Sequence, residues 1–346
     1  MEFPVSRELR TIESSWSTPQ LLDALHHALT GAGPALATSN IASQVSSDIA
    51  LVVTTSGSTG EPKAVALSAK ALIANAKATH KYLGAKVGER WSLLLPTTHI
   101  AGLNVLVRSI ELGTTPVTVD NQADFTAIVP TQLHRALTGD AKLLTHLKGC
   151  KAVLVGGGPL SEELRASATA KGIKVVTTYG ATESCGGVVY EGSPLEGVEI
   201  SIIDGRIALR GPQLVTSYLN GDIPIKDGWL ITSDIGEIVD GKLKVVGRVD
   251  DQIISGGEKI SLSAVESYLR SEFANQEIAA FSKKDSEWGE KLCIATTQAI
   301  SIDLVASKLK ERFGNHAAPK EIHTVTAIPY LSLGKPDRKR LANDFA

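Results

Sequence analysis

Helix-like and strand-like segments alternate along the first half of this 346-residue chain. Ser68 can cap a helix, the run WSLLLP at 91–96 has the composition of a buried strand, and residues 101–112 repeat with the period of a helix. VTV at 117–119 and AVLVGG at 152–157 are predicted to be further strands. A chain that alternates in this way buries a mostly parallel sheet between layers of helices. We therefore predict an α/β fold whose large N-terminal domain is doubly wound.

The pattern changes at Val198, where short segments of alternating polar and apolar residues begin. These segments predict a small antiparallel section. The stretch GRVDDQIISGGEK at 247–259 is charged and rich in glycine, and a separate set of strand and helix patterns follows it. We therefore predict a domain boundary there, between an N-terminal domain of residues 1–247 and a small mobile α+β C-terminal domain of residues 248–346.

Charge and cysteine content restrict the class of protein. The chain has 35 basic and 37 acidic residues, so it lacks the basic surplus typical of nucleic-acid binding. Cys150, Cys185 and Cys293 are too far apart in sequence for a zinc motif, and they favour a reducing compartment. The first residues include acids and no apolar run, which predicts neither a signal peptide nor a membrane anchor. We expect a cytoplasmic protein with no membrane insertion and no nucleic-acid partner.

The segment TTSGSTGEPK at 54–63 has the composition of a loop that holds a polyphosphate. Glycines let the main chain approach an anion closely, while hydroxyls and a lysine contact its oxygens. It is not a Walker loop, because no glycine-lysine-Ser/Thr triplet follows. A flexible surface turn is the alternative. The predicted phosphate-binding residues are Thr54, Thr55, Ser56, Gly57, Ser58, Thr59, Gly60 and Lys63.

Two further segments follow predicted strands, where open α/β sheets bind ligands. GGGPL at 156–160 could contact a ligand or could be an ordinary strand-to-helix turn. In YGATES at 179–184, Tyr179 suits a purine ring, Thr182 a phosphate oxygen and Glu183 a magnesium ion. Glu183 could instead be a solvated loop acid.

Two charged segments lie later in the chain. TSD at 232–234 and Arg248 could bind the hydroxyls of a ribose through Asp234 and the guanidinium, although each charge could also be an ordinary surface group. SLGKPDRKRL at 332–341 carries Lys335 on a glycine-bearing loop. A basic solubilising tail is the alternative for this segment.

Taken in order, TTSGSTGEPK, GGGPL, YGATE, TSD, GRVDD with SGGEK, and the terminal GK resemble the motifs of the adenylate-forming superfamily, which includes acyl-CoA synthetases. The resemblance covers the chain from about residue 50 to its end. It implies a ligase that joins an acid to ATP as an acyl-adenylate, and then transfers the acyl group to coenzyme A. ATP, Mg²⁺ and coenzyme A are therefore the expected cofactor and co-substrates, and a carboxylic acid is the expected partner.

The resemblance also assigns roles to residues. It implies that Lys335 and Glu183 are catalytic, with Glu183 holding Mg²⁺, that Asp250 is a hinge, and that Gly256 and Gly257 line the coenzyme A channel. The implied ATP-binding residues outside the phosphate loop are Gly156, Gly157, Gly158, Tyr179, Gly180, Thr182, Asp234 and Arg248.

The segment PTTHIAGLNVLVRS at 96–109 is similar to the acid-binding helix of the o-succinylbenzoate–CoA ligase family of menaquinone biosynthesis. That substrate has two carboxylates, and a guanidinium at Arg108 suits the one that is anchored. Arg108 could instead pair with a protein acid. His99 could bind the acid or serve as a packing and gating residue. Cys185 lies beside Glu183 without an obvious base, so we expect a lining residue and no nucleophile.

Two departures from the superfamily stand out. Only about fifty residues precede the phosphate loop, fewer than in most relatives, and Ser233 stands where many relatives have glycine. Another aryl or short-chain acid–CoA ligase, a carrier-loading adenylation enzyme and a non-catalytic nucleotide-binding protein remain alternatives. The sequence leaves open whether the protein is a homodimer.

Overall fold

The structure is a computed structural model that describes residues 6–56, 62–220, 222–273, 276–330 and 336–345. The chain forms two compact units, Met1–Thr232 with Ile238–Leu243, and Ser233–Glu237 with Lys244–Ala346. The predicted boundary at 247/248 and the hinge at Asp250 stay predictions. Gly57, Ser58, Thr59, Gly60 and Lys335 lie outside the described residues.

The elements up to residue 150 are β1 (Ser6–Thr11), α1 (Thr18–Thr30), β2 (Ala35–Ala37), β3 (Gln44–Ser46), β4 (Ile49–Ser56), β5 (Pro62–Ser68), α2 (Ala69–Leu83), β6 (Trp91–Ser92), α3 (Ile100–Glu111), β7 (Phe125–Ile128), α4 (Pro130–Thr138) and α5 (Ala141–Gly149). Those up to residue 239 are β8 (Ala152–Val155), α6 (Glu162–Ala170), β9 (Val175–Ala181), β10 (Gly186–Tyr190), β11 (Ser193–Pro194), β12 (Glu199–Ile203), β13 (Arg206–Arg210), β14 (Ser217–Tyr218), β15 (Ile225–Lys226) and β16 (Trp229–Val239). The remaining elements are β17 (Lys242–Arg248), β18 (Gln252–Ser255), β19 (Glu258–Ser261), α7 (Leu262–Glu272), β20 (Ile278–Asp285), β21 (Gly289–Thr296), α8 (Ile302–Phe313), β22 (Glu321–Thr324) and α9 (Arg338–Asp344).

The first unit contains two six-stranded sheets, in the orders β14-β5-β4-β2-β1-β3 and β11-β10-β9-β8-β7-β6. Both have parallel strands at the centre and antiparallel strands toward an edge. The predicted α/β class is therefore confirmed, and the chain divides these strands between two sheets. Antiparallel pairing of β12 with β13 and of β15 with β16 confirms the antiparallel section.

Helices α2 and α3 pack against both sheets. Leu72 of α2 and Leu103 of α3 belong to the core of the first sheet, whereas Val105 of α3 packs with Trp91 and Phe125 of the second. The opposite face of the second sheet is covered by α4, α5 and α6. Most of α3 is buried, including Arg108 in its last turn, whereas Glu111 at its end is partly exposed.

Local signals position these helices as the sequence predicts. The Ser68 hydroxyl accepts a hydrogen bond from Ala71 N at 3.2 Å, and Ser161 caps α6 in the same way. Two strand predictions were too long. WSLLLP forms a strand only at Trp91–Ser92, and VTV at 117–119 contributes a single bridge from Val117 to Ser92.

The second unit has a five-stranded sheet in the order β19-β18-β21-β20, with β22 paired to β21. Helices α7 and α8 pack on one face and α9 on the other. Glu266 of α7 is buried there; its carboxylate accepts hydrogen bonds from Ala280 N at 2.9 Å and from Arg338 at 3.0 Å. No helix in the described part of the chain is both long and apolar enough to cross a membrane.

Candidate active site

The predicted phosphate loop connects two antiparallel strands. Thr55 of β4 lies opposite Lys63 of β5, and Thr54 lies opposite Ala64. The Thr54 hydroxyl is 2.6 Å from the Ser39 hydroxyl, and the backbone N–H of Thr54 donates to the Thr38 hydroxyl at 2.9 Å. Thr54, Thr55 and Lys63 are thus held at the base of a hairpin. The described elements on either side of residues 57–61 are the strands β4 and β5.

Glu183 and Lys63 are brought together by Tyr218, a residue that the sequence did not single out. The Tyr218 hydroxyl donates to Glu183 Oε1 at 2.7 Å. Lys63 Nζ lies 5.5 Å from the centroid of the Tyr218 ring. Burial and the Glu183 carboxylate raise the pKa of Tyr218 above its ordinary value, so the phenol stays a donor. A carboxylate and a lysine therefore lie on either side of one tyrosine, next to the predicted phosphate loop.

Gly156, directly after β8, and Gly180, within β9, lie where a side chain would collide with neighbouring atoms. A Cβ atom on Gly156 would be 2.3 Å from the Thr178 hydroxyl, and one on Gly180 would be 2.0 Å from the Gly186 carbonyl oxygen. Gly157 and Gly158 complete the turn after β8. The Tyr179 hydroxyl lies 3.5 Å from the Thr232 hydroxyl. These contacts give the two predicted nucleotide-contacting turns a fixed spacing.

Thr182 and Glu183 lie in a short 3₁₀ turn between β9 and β10. Cys185 ends this turn with a left-handed backbone and is fully buried. Burial raises the pKa of its thiol, which keeps it protonated. The geometry supports the interpretation of Cys185 as a packing residue.

His99 and Arg108 lie at opposite ends of α3. His99 is the residue that precedes the first turn, and Arg108 is in the last turn. Nine residues at 1.5 Å each separate them by roughly 13 Å along the helix axis. Partial burial lowers the pKa of His99. The two predicted acid-binding residues therefore extend from opposite ends of this helix.

Arg108 is buried among neutral groups. The residue is 4 % exposed. Its Nη2 donates to the Tyr190 hydroxyl at 3.3 Å, and to Asn75 Oδ1 and the Thr79 hydroxyl at 3.5 Å each. Its guanidinium carbon lies 4.9 Å from the centroid of the Trp91 ring. Nε has no hydrogen-bond partner, and the hydrogen bonds of Nη2 in the described ranges are all with neutral groups. The alternative that Arg108 pairs with a protein acid therefore has no support among the described residues.

The second unit holds the remaining described site residues. Arg248 Nη1 donates to Asp234 Oδ1 at 2.9 Å, so the carboxylate and guanidinium predicted to contact ribose form an ion pair. The backbone of Asp250 lies in a 3₁₀ turn. Gly256 and Gly257 form the turn between β18 and β19, and a Cβ on Gly256 would be 2.9 Å from the Trp288 ring.

The residues fit a magnesium ion that arrives with a nucleotide. No group of three or more His, Cys, Asp or Glu side chains in the described chain could hold a metal by itself. Mg²⁺ commonly uses one or two carboxylates together with phosphate oxygens and water. One carboxylate at Glu183, next to a phosphate loop, satisfies that requirement.

Comparisons with known proteins agree with the motif order. Residues 6–219 match the AMP-binding enzyme family model. The chain is 36% identical over 371 aligned positions to a probable 2-succinylbenzoate–CoA ligase of Mycobacterium tuberculosis, covering 95% of this chain and 96% of that protein. It superposes on o-succinylbenzoate CoA synthetase from Bacillus subtilis in complex with the acyl-adenylate OSB-AMP, with a TM-score of 0.75, 26% identity and coverage of 96% and 82%. A second structure of that enzyme, in complex with ATP and magnesium ion, gives a TM-score of 0.75 at 25% identity, with coverage of 95% and 83%. The chain belongs to the AMP-binding enzyme family.

Proposed function

We propose that this protein is an AMP-forming acid–CoA ligase that converts o-succinylbenzoate to o-succinylbenzoyl-CoA in menaquinone biosynthesis. The observation that carries the substrate assignment is the buried Arg108 guanidinium, which has only neutral partners among the described residues. A buried cation without a counter-charge favours an anionic ligand. The similarity to 2-succinylbenzoate–CoA ligases along nearly the whole chain supports the same substrate.

The proposed reaction has two steps. The carboxylate of the acid attacks the α-phosphate of ATP, which gives an acyl-adenylate and pyrophosphate, and the thiol of coenzyme A then displaces AMP. Both reactants of the first step are anions, so the protein must chiefly neutralise and align charge. Since ATP and coenzyme A are metabolites of the cytoplasm, we propose that the reaction takes place there.

Each site residue has a role in this proposal. Lys63 and the loop that precedes it bind the β- and γ-phosphates, and Tyr179 with the Gly156–Gly158 turn flanks adenine. Asp234 and Arg248 bind ribose, and Glu183 would hold Mg²⁺, which supplies positive charge to the phosphate oxygens when bound. Arg108 anchors the second carboxylate, while His99 lines the entrance to the acid pocket.

The C-terminal roles rest on the motif resemblance. We propose that Lys335 contacts the attacking carboxylate and the α-phosphate in the first step, and that a rotation at Asp250 brings Gly256 and Gly257 to the thiol channel in the second. Glycine suits a narrow pantetheine passage because it adds no side chain.

The proposal is tested with purified protein and a panel of o-succinylbenzoate, benzoate and medium-chain fatty acids. ATP–pyrophosphate exchange measures the first step, and coenzyme A consumption measures the second. We expect both activities with o-succinylbenzoate. Exchange without coenzyme A consumption would indicate a carrier-loading enzyme, a preference for benzoate or fatty acids would overturn the substrate, and no exchange with any acid would overturn the ligase assignment.

A further inference from the structure

We infer that Tyr218 is a positioning residue that holds the Glu183 carboxylate where a nucleotide-bound magnesium ion requires it. This inference rests on the proposed function, which assigns Mg²⁺ to Glu183. The Tyr218 hydroxyl donates to Glu183 Oε1 at 2.7 Å, a short and therefore strong hydrogen bond to a carboxylate. It fixes one oxygen and so limits the rotation of the carboxylate group.

The main chain around Tyr218 holds the same turn from a second direction. Val215 N donates to the Glu183 carbonyl oxygen at 2.6 Å, so backbone and side chain of Glu183 are both bound by residues 215–218. A glutamate side chain has three rotatable bonds, and its ordering would otherwise cost free energy when the metal binds. The Tyr218 hydrogen bond removes part of that freedom in advance, and the Val215 contact fixes the main chain from which the side chain extends.

The segment that holds Glu183 is itself attached to the exit strand of the phosphate loop. Tyr218 of β14 pairs with Val65 of β5, and Thr216 N donates to the Ala66 carbonyl at 3.1 Å. Ala64 N, next to Lys63, donates to Asn220 Oδ1 at 2.9 Å. The position of the metal-binding carboxylate is therefore fixed relative to Lys63 by hydrogen bonds that run through β14.

The ring of Tyr218 adds a separate contact to the phosphate side. Lys63 Nζ lies 5.5 Å from the ring centroid, within the range of a cation–π interaction. Hydroxyl and ring thus act on different partners, and a Tyr218→Phe variant removes only the hydrogen bond to Glu183. This separation makes the inference testable without disturbing Lys63.

The test compares ATP binding with and without Mg²⁺ by isothermal titration calorimetry. We expect Tyr218→Phe to weaken ATP binding in the presence of Mg²⁺ by roughly tenfold, the usual effect of losing a hydrogen bond to a charged group. Binding in EDTA should be unchanged. The Mg²⁺ concentration that gives half-maximal adenylation should rise by a similar factor, while thioester formation from supplied acyl-adenylate should stay as in the parent protein. Tyr268→Phe, on α7 of the second unit, is the matched control.

A double-variant comparison makes the assignment specific to Glu183. In a Glu183→Gln background, Tyr218→Phe should have no further effect on Mg²⁺-dependent ATP binding, because the carboxylate that Tyr218 positions is gone. Equal weakening with and without Mg²⁺, additive effects of the two substitutions, or no effect of Tyr218→Phe would each overturn the inference. Absence of acid-dependent pyrophosphate exchange in the parent protein would instead refute the proposed ligase, since Mg²⁺-dependent ATP binding is measured without the acid.

Discussion

Replacement of Arg108 by methionine should stabilise the first unit and at the same time remove its preference for a dicarboxylate. Methionine has similar length, and it would fill the space between Trp91 and Tyr190 without a charge. Three contacts of 3.3–3.5 Å would be lost, but the Tyr190 hydroxyl would keep Thr79 at 3.0 Å, and the Asn75 amide nitrogen would keep the Gly187 carbonyl at 2.9 Å. The buried Asn75 Oδ1 would lose its contact with Arg108, a weak one at 3.5 Å.

The magnitude follows from what the buried guanidinium lacks. Its unpartnered Nε costs about 1–3 kcal/mol, and the desolvation of the charge adds to that, against a cation–π contact of about 0.5–2 kcal/mol. The loss of a partner for Asn75 Oδ1 offsets part of this gain, so we expect Arg108→Met to raise the free energy of unfolding by about 1–2 kcal/mol. Loss of the anchor should cost about 2–4 kcal/mol in kcat/KM for o-succinylbenzoate, roughly 30- to 700-fold. Benzoate, which has no second carboxylate, should be affected little.

Arg7→Met is the matched control for stability. The Arg7 guanidinium donates to the carbonyl oxygens of Gly33, Ile49 and His27, so its loss should destabilise the fold by about 1–3 kcal/mol and leave the substrate ratio unchanged. Urea unfolding and steady-state kinetics with both acids measure the two effects. If Arg108→Met destabilised the protein as Arg7→Met does, and kept the o-succinylbenzoate-to-benzoate ratio, the argument from an uncompensated buried charge would be wrong.

Three further predictions concern other parts of the chain. Lys335→Ala should raise the activation free energy of adenylation by about 3 kcal/mol or more, while thioester formation from supplied acyl-adenylate should stay unchanged. Equal losses in the two half-reactions would contradict that division. Gly180→Ala should destabilise the first unit by about 1–3 kcal/mol or more in urea unfolding, because the new Cβ would lie 2.0 Å from the Gly186 carbonyl oxygen. Gly139→Ala is the control and should be near neutral, because a Cβ there would have no described atom within 4 Å. Burial, with a smaller contribution from the Arg108 guanidinium, lowers the pKa of His80 to about 4. The unfolded chain therefore protonates this imidazole near pH 6.5, whereas the folded chain does not. Stability should thus be lost as pH falls from 6.5 toward 4, and a His80→Leu variant that kept the same acid slope would refute this.

Local signals identified the elements that depend mainly on neighbouring residues. Ser68 and Ser161 cap their helices as predicted, because a capping hydroxyl acts within one turn. The strand at 91–96 was overestimated, since only Trp91 and Ser92 pair with β7 and the following leucines pack without a partner strand. An apolar run indicates burial, and only tertiary pairing decides how much of it is strand.

The candidate site was predictable where chemistry is concentrated in short motifs. Glu183 and Lys63 were singled out because each lies in a distinctive segment, and the structure brings both into contact with Tyr218. Tyr218 was missed, since the sequence TSYLN gives no sign that a phenol 35 residues from Glu183 will contact its carboxylate. The environment of Arg108 was equally invisible, because Asn75 and Thr79 lie on α2 and Tyr190 lies on β10, all far from Arg108 in sequence.

The two-residue strand β14 limits how the first unit can be shortened for ligand screening or domain grafting. A fragment that ended after Arg210 would keep every strand of the second sheet and most of the first. It would nevertheless lose the Val215 and Tyr218 contacts to Glu183 and the Asn220 contact to Ala64. If Glu183 holds magnesium as proposed, such a fragment should lose its response to the divalent metal, so an expression boundary needs to fall beyond Asn220.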